Sequence, residues 1–231
     1  YGNRIGRDFM SSDDREAFLR QVYGAQNGEE LTSIYDDWAT RYDSDLTAFG
    51  YRNPAVAAGL IGRHIDADSG TLLDAGCGTG LLGEILSYMG YLDLAGIDLS
   101  QGMLDQAAVK SVYTNLKQMA LGTDLAFEDG RFAAVVSFGV LTAGHAPPQS
   151  LDEMIRITKP GGHLIFSLSN LVYEPLGFKD KLASLAAQGR WREIERTPFF
   201  PVLPGSVSEA TVESCIFVFQ TEQIPLHVRE Q

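Results

Sequence analysis

The 231-residue sequence predicts an α/β fold, with a doubly wound, mainly parallel seven-stranded sheet that ends in an antiparallel hairpin and is preceded by helices. Three observations carry this expectation. From Thr71 onward, short apolar runs alternate with longer amphipathic ones. A glycine-rich turn joins the first apolar run to the first amphipathic one, and near the C terminus two β-like runs flank the turn pair Pro204-Gly205. Strands alternating with helices form βαβ units, whose sheet is parallel and covered on both faces.

Taken in order, the elements read as follows. Residues 13–23 form a helix opened by Ser12 or Asp13, and residues 31–42 a second, with Leu31, Ile34, Tyr35, Trp38 and Tyr42 on one face. Residues 55–65 form a third helix, begun by Asn53-Pro54 because proline suits the first helical turn. The parallel strands fall at 71–75, 92–97, 116–121, 132–138 and 163–168, with helical runs such as 81–89 and 101–112 between them. Gly90 is the stop of the first of these helices. A further helix spans 178–188, and the hairpin pairs 191–202 with 213–220. Residues 1–65 thus read as a helical extension and residues 66–231 as the sheet-bearing part of one structural domain.

Composition narrows the function. Hydrophobic residues make up 45% and charged residues 21%, enough for a sizeable core, and no apolar run reaches the roughly 20 residues that span a bilayer. Residues 1–10 are polar and do not resemble a secretory signal. The net charge is −12 and the pI about 4.7. Such a surface repels phosphate backbones and anionic membranes, so nucleic acid and membrane are not the expected partners. Cys77 and Cys215 are too few for a disulfide framework and match no zinc spacing, which fits reduced thiols in a cytoplasmic protein. Nothing in the composition separates a monomer from a homodimer.

The chemistry is written in Leu72-Leu73-Asp74-Ala75-Gly76-Cys77-Gly78-Thr79-Gly80. A buried strand ends at Asp74, a turn follows, and a helix begins. Gly76, Gly78 and Gly80 allow positive φ and let a ligand approach bare backbone, while the helix start offers free N–H groups. Asp98, in Gly96-Ile97-Asp98-Leu99-Ser100, lies 22 residues after Gly76. That is the separation at which a carboxylate meets a ribose diol in Rossmann-like folds. Ser100 caps the next helix and places Met103 one turn in, near an adenine. A nucleotide-like ligand is therefore expected at the carboxyl ends of the first strands. The acid before the glycines, in the order Asp-x-Gly-x-Gly-x-Gly, distinguishes the turn from the Gly-x-Gly-x-x-Gly of dinucleotide sites.

These motifs, with Asp129-Gly130-Arg131-Phe132 and Lys159-Pro160-Gly161-Gly162, resemble class I S-adenosylmethionine-dependent methyltransferases over roughly residues 70–170. Tyr35-Asp36-Asp37-Trp38-Ala39-Thr40-Arg41-Tyr42-Asp43 is similar to the Tyr-Asp-x-Trp-Ala-x-x-Tyr-Asp lead-in of a small-molecule branch. That branch is the group that includes a methyltransferase-like protein of the human Williams–Beuren syndrome region, and the likeness continues through residues 173–191.

The resemblance implies S-adenosyl-L-methionine as cofactor and a small-molecule acceptor. It implies that Asp74 and the turn of Gly76, Cys77, Gly78 and Gly80 hold the methionine end, with Cys77 itself a small filler. Asp98 would take the ribose, and Leu99 and Met103 would flank the adenine. Where many relatives carry Gly-Asp-Ala, this chain has Ala120-Leu121-Gly122. That departure shifts adenine recognition to the backbone around Leu121 and Gly122, or to Thr123 or Asp124. Ser137 and Phe138 would border the reaction centre, and Tyr35 and Tyr42 would belong to an N-terminal lid.

Two positions stay open between readings. The Tyr35–Trp38–Tyr42 stripe has the spacing of ordinary core and also the aromatic surface that a sulfonium favours. His145, in the loop after the fourth strand, suits a general base with its ordinary pKa of about 6.5, or a merely structural role. His64, His163 and His227 read as structural. No metal-ligand spacing occurs, so no metal is expected. Alternatives to catalysis by methyl transfer are a catalytically silent cofactor-binding module and, further off, a dinucleotide-dependent oxidoreductase.

Overall fold

The computed structural model describes residues 12–25, 27–142 and 144–222. The reading of residues 1–10 and that of His227 lie outside them. Ahead of the sheet come α1 (Ser12–Gly24), α2 (Gly28–Phe49) and α3 (Asn53–His64). The Asn27 side chain accepts the Glu30 N–H at the start of α2. Gly50 stops the helix at φ 70°, returning its N–H to the Leu46 and Thr47 carbonyls. This helix runs seven residues beyond the expected end at Tyr42, because residues that read as a polar terminus are satisfied inside the fold. Asp45 is buried and accepts hydrogen bonds from the Trp38 indole at 2.9 Å and from Arg15 at 3.2 Å.

The α/β part follows as β1 (Leu72–Ala75), α4 (Leu81–Tyr88), β2 (Leu94–Asp98), α5 (Gln101–Lys110), β3 (Asn115–Gln118) and β4 (Phe132–Ser137). Next come α6 (Ser150–Ile157), β5 (Thr158–Ser169), α7 (Phe178–Ala187), β6 (Trp191–Arg196), β7 (Phe200–Pro201) and β8 (Glu213–Thr221). The sheet order is β3-β2-β1-β4-β5-β8-β6, with β7 also on β8. β1 to β5 pair in parallel, and β8 runs antiparallel to both β5 and β6. The doubly wound sheet and its C-terminal hairpin are those the sequence predicts. The run 191–202 is interrupted: Pro198 has no N–H to give, so β6 stops before it and pairing to β8 resumes at Phe200. Counted as one broken edge strand, β6 and β7 make the sheet seven-stranded. The amphipathic α6 was not singled out in the sequence.

Two-residue periodicity sorts the sheet's side chains into two cores. Leu72, Ala134, Val136, Ile165, Ile216 and Val218 face α3 and α4. Leu73, Ala75, Val135, Leu164, Phe166 and Phe217 face α6 and α7. On the second face Phe166, Phe217, Phe219 and Trp191 stack, the last two with ring centroids 4.1 Å apart, so the hairpin is held by aromatic area as well as by its ladder.

A third core joins α1 and α2 through Leu19, Val22, Leu31, Trp38, Leu46 and Phe49, with Leu203 from the loop before β8. That loop is also clasped by α1. The Glu16 carboxylate accepts the Val207 N–H at 2.8 Å, the Ser208 N–H at 3.2 Å and the Ser206 and Ser208 hydroxyls. Burial works to raise its pKa, but these hydrogen bonds outweigh it and hold the carboxyl below its ordinary value.

The segment 125–130 is organised by Arg156 on α6. Its guanidinium donates to the Leu125 and Phe127 carbonyls, to Asp129 and bidentately to Glu153, all between 2.7 and 2.9 Å. Asp129-Gly130 is thus a structural clasp, since the Gly130 N–H also returns to the Arg156 carbonyl at 2.8 Å. Beyond it Gly162 allows β5 to lie against β4: a Cβ there would stand 2.6 Å from the Ala133 oxygen. Arg156→Ala is expected to cost about 1 to 3 kcal/mol of stability by leaving two carbonyls and two carboxylates without this donor. Urea unfolding would measure this, with protease cleavage concentrated at 120–130. Wild-type behaviour in both would show that the loop holds its own shape.

Candidate functional site

The sheet changes direction between β1 and β4, and ligands of such folds sit outside the carboxyl ends of strands at that point. There the turn after β1 meets the loop after β4. A Cβ on Gly76, whose φ is 84°, would strike Val140 Cγ2 at 2.1 Å, so only glycine lets the two loops close. Gly76 and Cys77 donate their N–H groups to the Ile97 carbonyl at 2.7 and 2.9 Å, which lays the turn against β2. Gly78, at φ 53°, has open space where a side chain would stand.

Asp98 ends β2 and fastens this turn. One carboxylate oxygen accepts the Gly78 N–H at 2.8 Å and the other the Ser100 N–H at 3.0 Å. Burial raises its pKa, against the lowering effect of these backbone donors. Ser100 caps α5 as the sequence predicts, accepting the Met103 N–H at 3.0 Å.

One cavity gathers Tyr35, Tyr42, Gly76, Gly78, Asp98, Leu99, Met103, Leu121, Phe138 and His145. Met119, Gly139 and Val140 line it as well. They follow β3 and β4 directly, and strand-end position was the signal available for them. A small recess lined by Cys77, Thr79, Leu81 and Tyr51 adjoins, sharing Tyr42, Gly76, Gly78 and Phe138.

The remaining expected residues stand elsewhere. Asp74 shares the face of Leu72, because strand alternation turns it toward α4 rather than into the cavity. There it accepts the Tyr113 hydroxyl at 2.7 Å. Ser137 is fully buried and donates to the Ala75 carbonyl at 2.7 Å, tying β4 to β1. Gly80 is the N-cap of α4 beneath the Tyr113 ring, and Gly122 forms a turn against Pro147. The Cys77 side chain is buried, and burial pushes its thiol pKa well up, away from the reactive thiolate.

The N-terminal helix docks through acids that the sequence reading quoted without assigning a role. Asp36 accepts the Ser100 hydroxyl at 2.5 Å and the Gly102 N–H at 2.8 Å, at the positive start of α5. Asp43 accepts the Thr79 hydroxyl and the Lys110 ammonium, the latter at 2.6 Å. Within the aromatic stripe Trp38 is core, while Tyr35 and Tyr42 border the cavity. The Tyr35 hydroxyl lies 2.9 Å from His145 Nε2, and the Thr142 hydroxyl 2.9 Å from Nδ1. His64 pairs with Glu195 on the other side of the fold, at 2.7 Å.

A second chamber of about 100 Å³ shares Tyr35, Tyr42 and Gly139 with the first. Among the described residues its lining is aromatic, aliphatic and hydroxylic, with Asn53 and without Asp, Glu, Lys or Arg. Among the described residues, no group of three His, Cys, Asp or Glu side chains could hold a metal ion, and no helix is long and apolar enough to cross a membrane.

Known proteins bear on this geometry. Residues 73–166 match the family described as methyltransferase domain. The human methyltransferase-like protein 27 is 33% identical over 189 residues, 79% of this chain and 76% of that protein. A demethylmenaquinone methyltransferase of Paenarthrobacter aurescens is 28% identical over 205 residues, 85% of this chain and 72% of the relative. Among solved structures, a S-adenosylmethionine-dependent methyltransferase from Thermotoga maritima superposes with a TM-score of 0.60 at 17% identity, covering 83% of this chain and 99% of the other.

The buried Asp74 yields a pH prediction. Burial lifts its pKa from 3.8 to about 7, the Tyr113 hydrogen bond opposing. Between those values the folded protein keeps a proton that the unfolded chain has released, so this group's contribution to stability falls as pH rises from about 4 to about 7. Asp74→Asn removes that dependence. Its stability relative to wild type should therefore grow by at least about 1 kcal/mol between pH 5 and pH 8, in paired urea titrations. A difference that does not move with pH would place the titration elsewhere.

Proposed function

Because the chain belongs to the class I S-adenosylmethionine-dependent methyltransferases, we propose that it methylates an uncharged small molecule, with the cofactor in the cavity at the β1–β4 switch point. The carrying observation is the bare backbone of Gly78, which opens on empty space while Asp98 holds it from the other side. A side chain there would fill the room a ligand needs. The carboxylate of Asp98 has lone pairs left after its two backbone donors, and a ribose diol would use them. Leu99, Met103 and Leu121 supply apolar walls for an adenine ring. The recess lies at the start of α4, where the first backbone N–H groups of a helix lack intrahelical acceptors and suit the carboxylate of the methionine end.

When bound, S-adenosylmethionine supplies a sulfonium-activated methyl group: the acceptor's lone pair bonds the methyl carbon, and the carbon–sulfur pair stays on sulfur as S-adenosylhomocysteine forms. The protein's tasks are alignment and exclusion of water, and alignment alone is worth on the order of 7 to 11 kcal/mol. Tyr35 and Tyr42 shield the cavity from the N-terminal side, as a lid does. With Nδ1–H donated to the Thr142 hydroxyl, His145 Nε2 would accept the Tyr35 O–H, so a proton leaving the acceptor would pass to the Tyr35 oxygen while Tyr35 gives its own to Nε2.

Two features favour a small, uncharged acceptor. A relative similar over 85% of this chain is a demethylmenaquinone methyltransferase, and among the described residues the adjoining chamber has no charged side chain in its lining. The net charge of −12 disfavours a polyanionic acceptor.

Calorimetry with S-adenosylhomocysteine tests the cofactor reading. Wild type should bind, and Gly78→Val should lose at least about a hundredfold in affinity, or 2.7 kcal/mol, while keeping its circular dichroism. Unaltered affinity would remove the ligand from this turn. Hydrogen exchange across residues 31–45 tests the lid: protection should rise when S-adenosylhomocysteine binds, because a lid must open for exchange. Strong protection that ligand leaves unchanged would make Tyr35 and Tyr42 ordinary core.

A further inference from the structure

We propose that Asn53 reads the methyl acceptor in the second chamber, and that the acceptor is a flat, uncharged aromatic compound carrying an O–H or N–H donor. The inference rests on the cofactor reading above, since the chamber adjoins the first cavity through Tyr35, Tyr42 and Gly139.

Asn53 is the first residue of α3 and is only 2% exposed. Its amide nitrogen donates weakly to the Tyr51 hydroxyl at 3.4 Å. Among the described residues nothing hydrogen-bonds its side-chain carbonyl oxygen, which is buried. Buried polar atoms are nearly always paired, so an unpaired carbonyl oxygen on a residue that lines a chamber marks a place where something from outside completes the pairing. The missing partner is a donor, because the free atom is a carbonyl oxygen.

The rest of the lining defines what carries that donor. Tyr35, Trp38, Tyr42 and Tyr51 give four aromatic rings, with aliphatic side chains such as Leu46 and Leu203 between them. Trp38 packs edge-on to Tyr42 at 4.8 Å and lies near parallel to Tyr35 at 6.3 Å, an arrangement that receives a further ring by stacking or edge contact. With no charged side chain among the described residues of the lining, an ionised acceptor would meet no counterion from them, a cost that neutral compounds escape. Burial also pushes the Tyr51 pKa up to about 12, so the chamber's own phenol beside Asn53 stays neutral.

A site built to hydrogen-bond a ligand group penalises the analogue that lacks it. The test compares 4-methylphenol with its hydrocarbon isostere 1,4-dimethylbenzene, by ligand-observed NMR titration of S-adenosylhomocysteine-saturated wild type and Asn53→Leu. The ratio of the two affinities, phenol over hydrocarbon, should fall at least about tenfold from wild type to the variant. A ratio unchanged within about threefold, or no saturable binding of 4-methylphenol to wild type, would overturn the proposal. If Asn53→Leu fails to fold by circular dichroism, Asn53→Ala takes its place under the same ratio. Titration with S-adenosylhomocysteine alone comes first. Its failure would sink the cofactor reading, whereas intact binding with an unmoved ratio would sink only the role of Asn53.

Discussion

The two hydrogen bonds into the Asp98 carboxylate are the interaction on which the rest of the site depends. One comes from Gly78 in the turn after β1 and the other from Ser100 at the start of α5, so a single buried side chain fixes two backbone segments that strand pairing alone leaves free. The orientation of α5 then settles where Met103 lies and where Asp36 docks, and through Asp36 the whole of α2. Holding a carboxylate this deep costs desolvation, visible in its raised pKa, and the backbone donors offset part of that cost. Hydroxyl donors from a sugar would offset more.

The sequence was most legible where one physical rule acts alone. Uninterrupted apolar runs and turn chemistry gave the parallel sheet and its hairpin, and the glycine turn pointed to the strand ends where the cavity lies. It was less legible where two rules compete. Asp74 stands in the motif, yet the two-residue alternation of β1 sends its carboxyl under α4 to Tyr113. Period alone could not divide the stripe on α2. Trp38 became core because Asp45 takes its indole N–H, while Tyr35 and Tyr42, on the same face, reached the cavity rim. Asn53 was read only as the opening of a helix, since nothing local distinguishes a capping-position asparagine from one that faces a chamber.

The acidic residues of α2 show how charge is spent in this fold. In a chain of net charge −12, Asp36 and Asp43 keep some exposure to solvent, yet both are paired. They bind the N-terminus of α5, Thr79 beside the turn, and Lys110 at the far end of α5. A helix dipole and one ammonium thus receive two carboxylates of an otherwise repelling surface. The same contacts place α2 against the glycine turn after β1, so helical packing and cavity formation are one event.

The clasp of Glu16 on Ser206, Val207 and Ser208 has a further meaning for folding. It joins positions separated by nearly the whole described chain, and a contact of that span can form only after the intervening segments have been arranged. It therefore works like a late, reversible cross-link, closing the chain into a ring without a covalent bond. Helix α1 and the loop before β8 gain or lose their order together, and the edge of the sheet cannot fray without releasing the opposite end of the polypeptide. Cooperativity here spans the described residues from their first helix to the loop before their last strand.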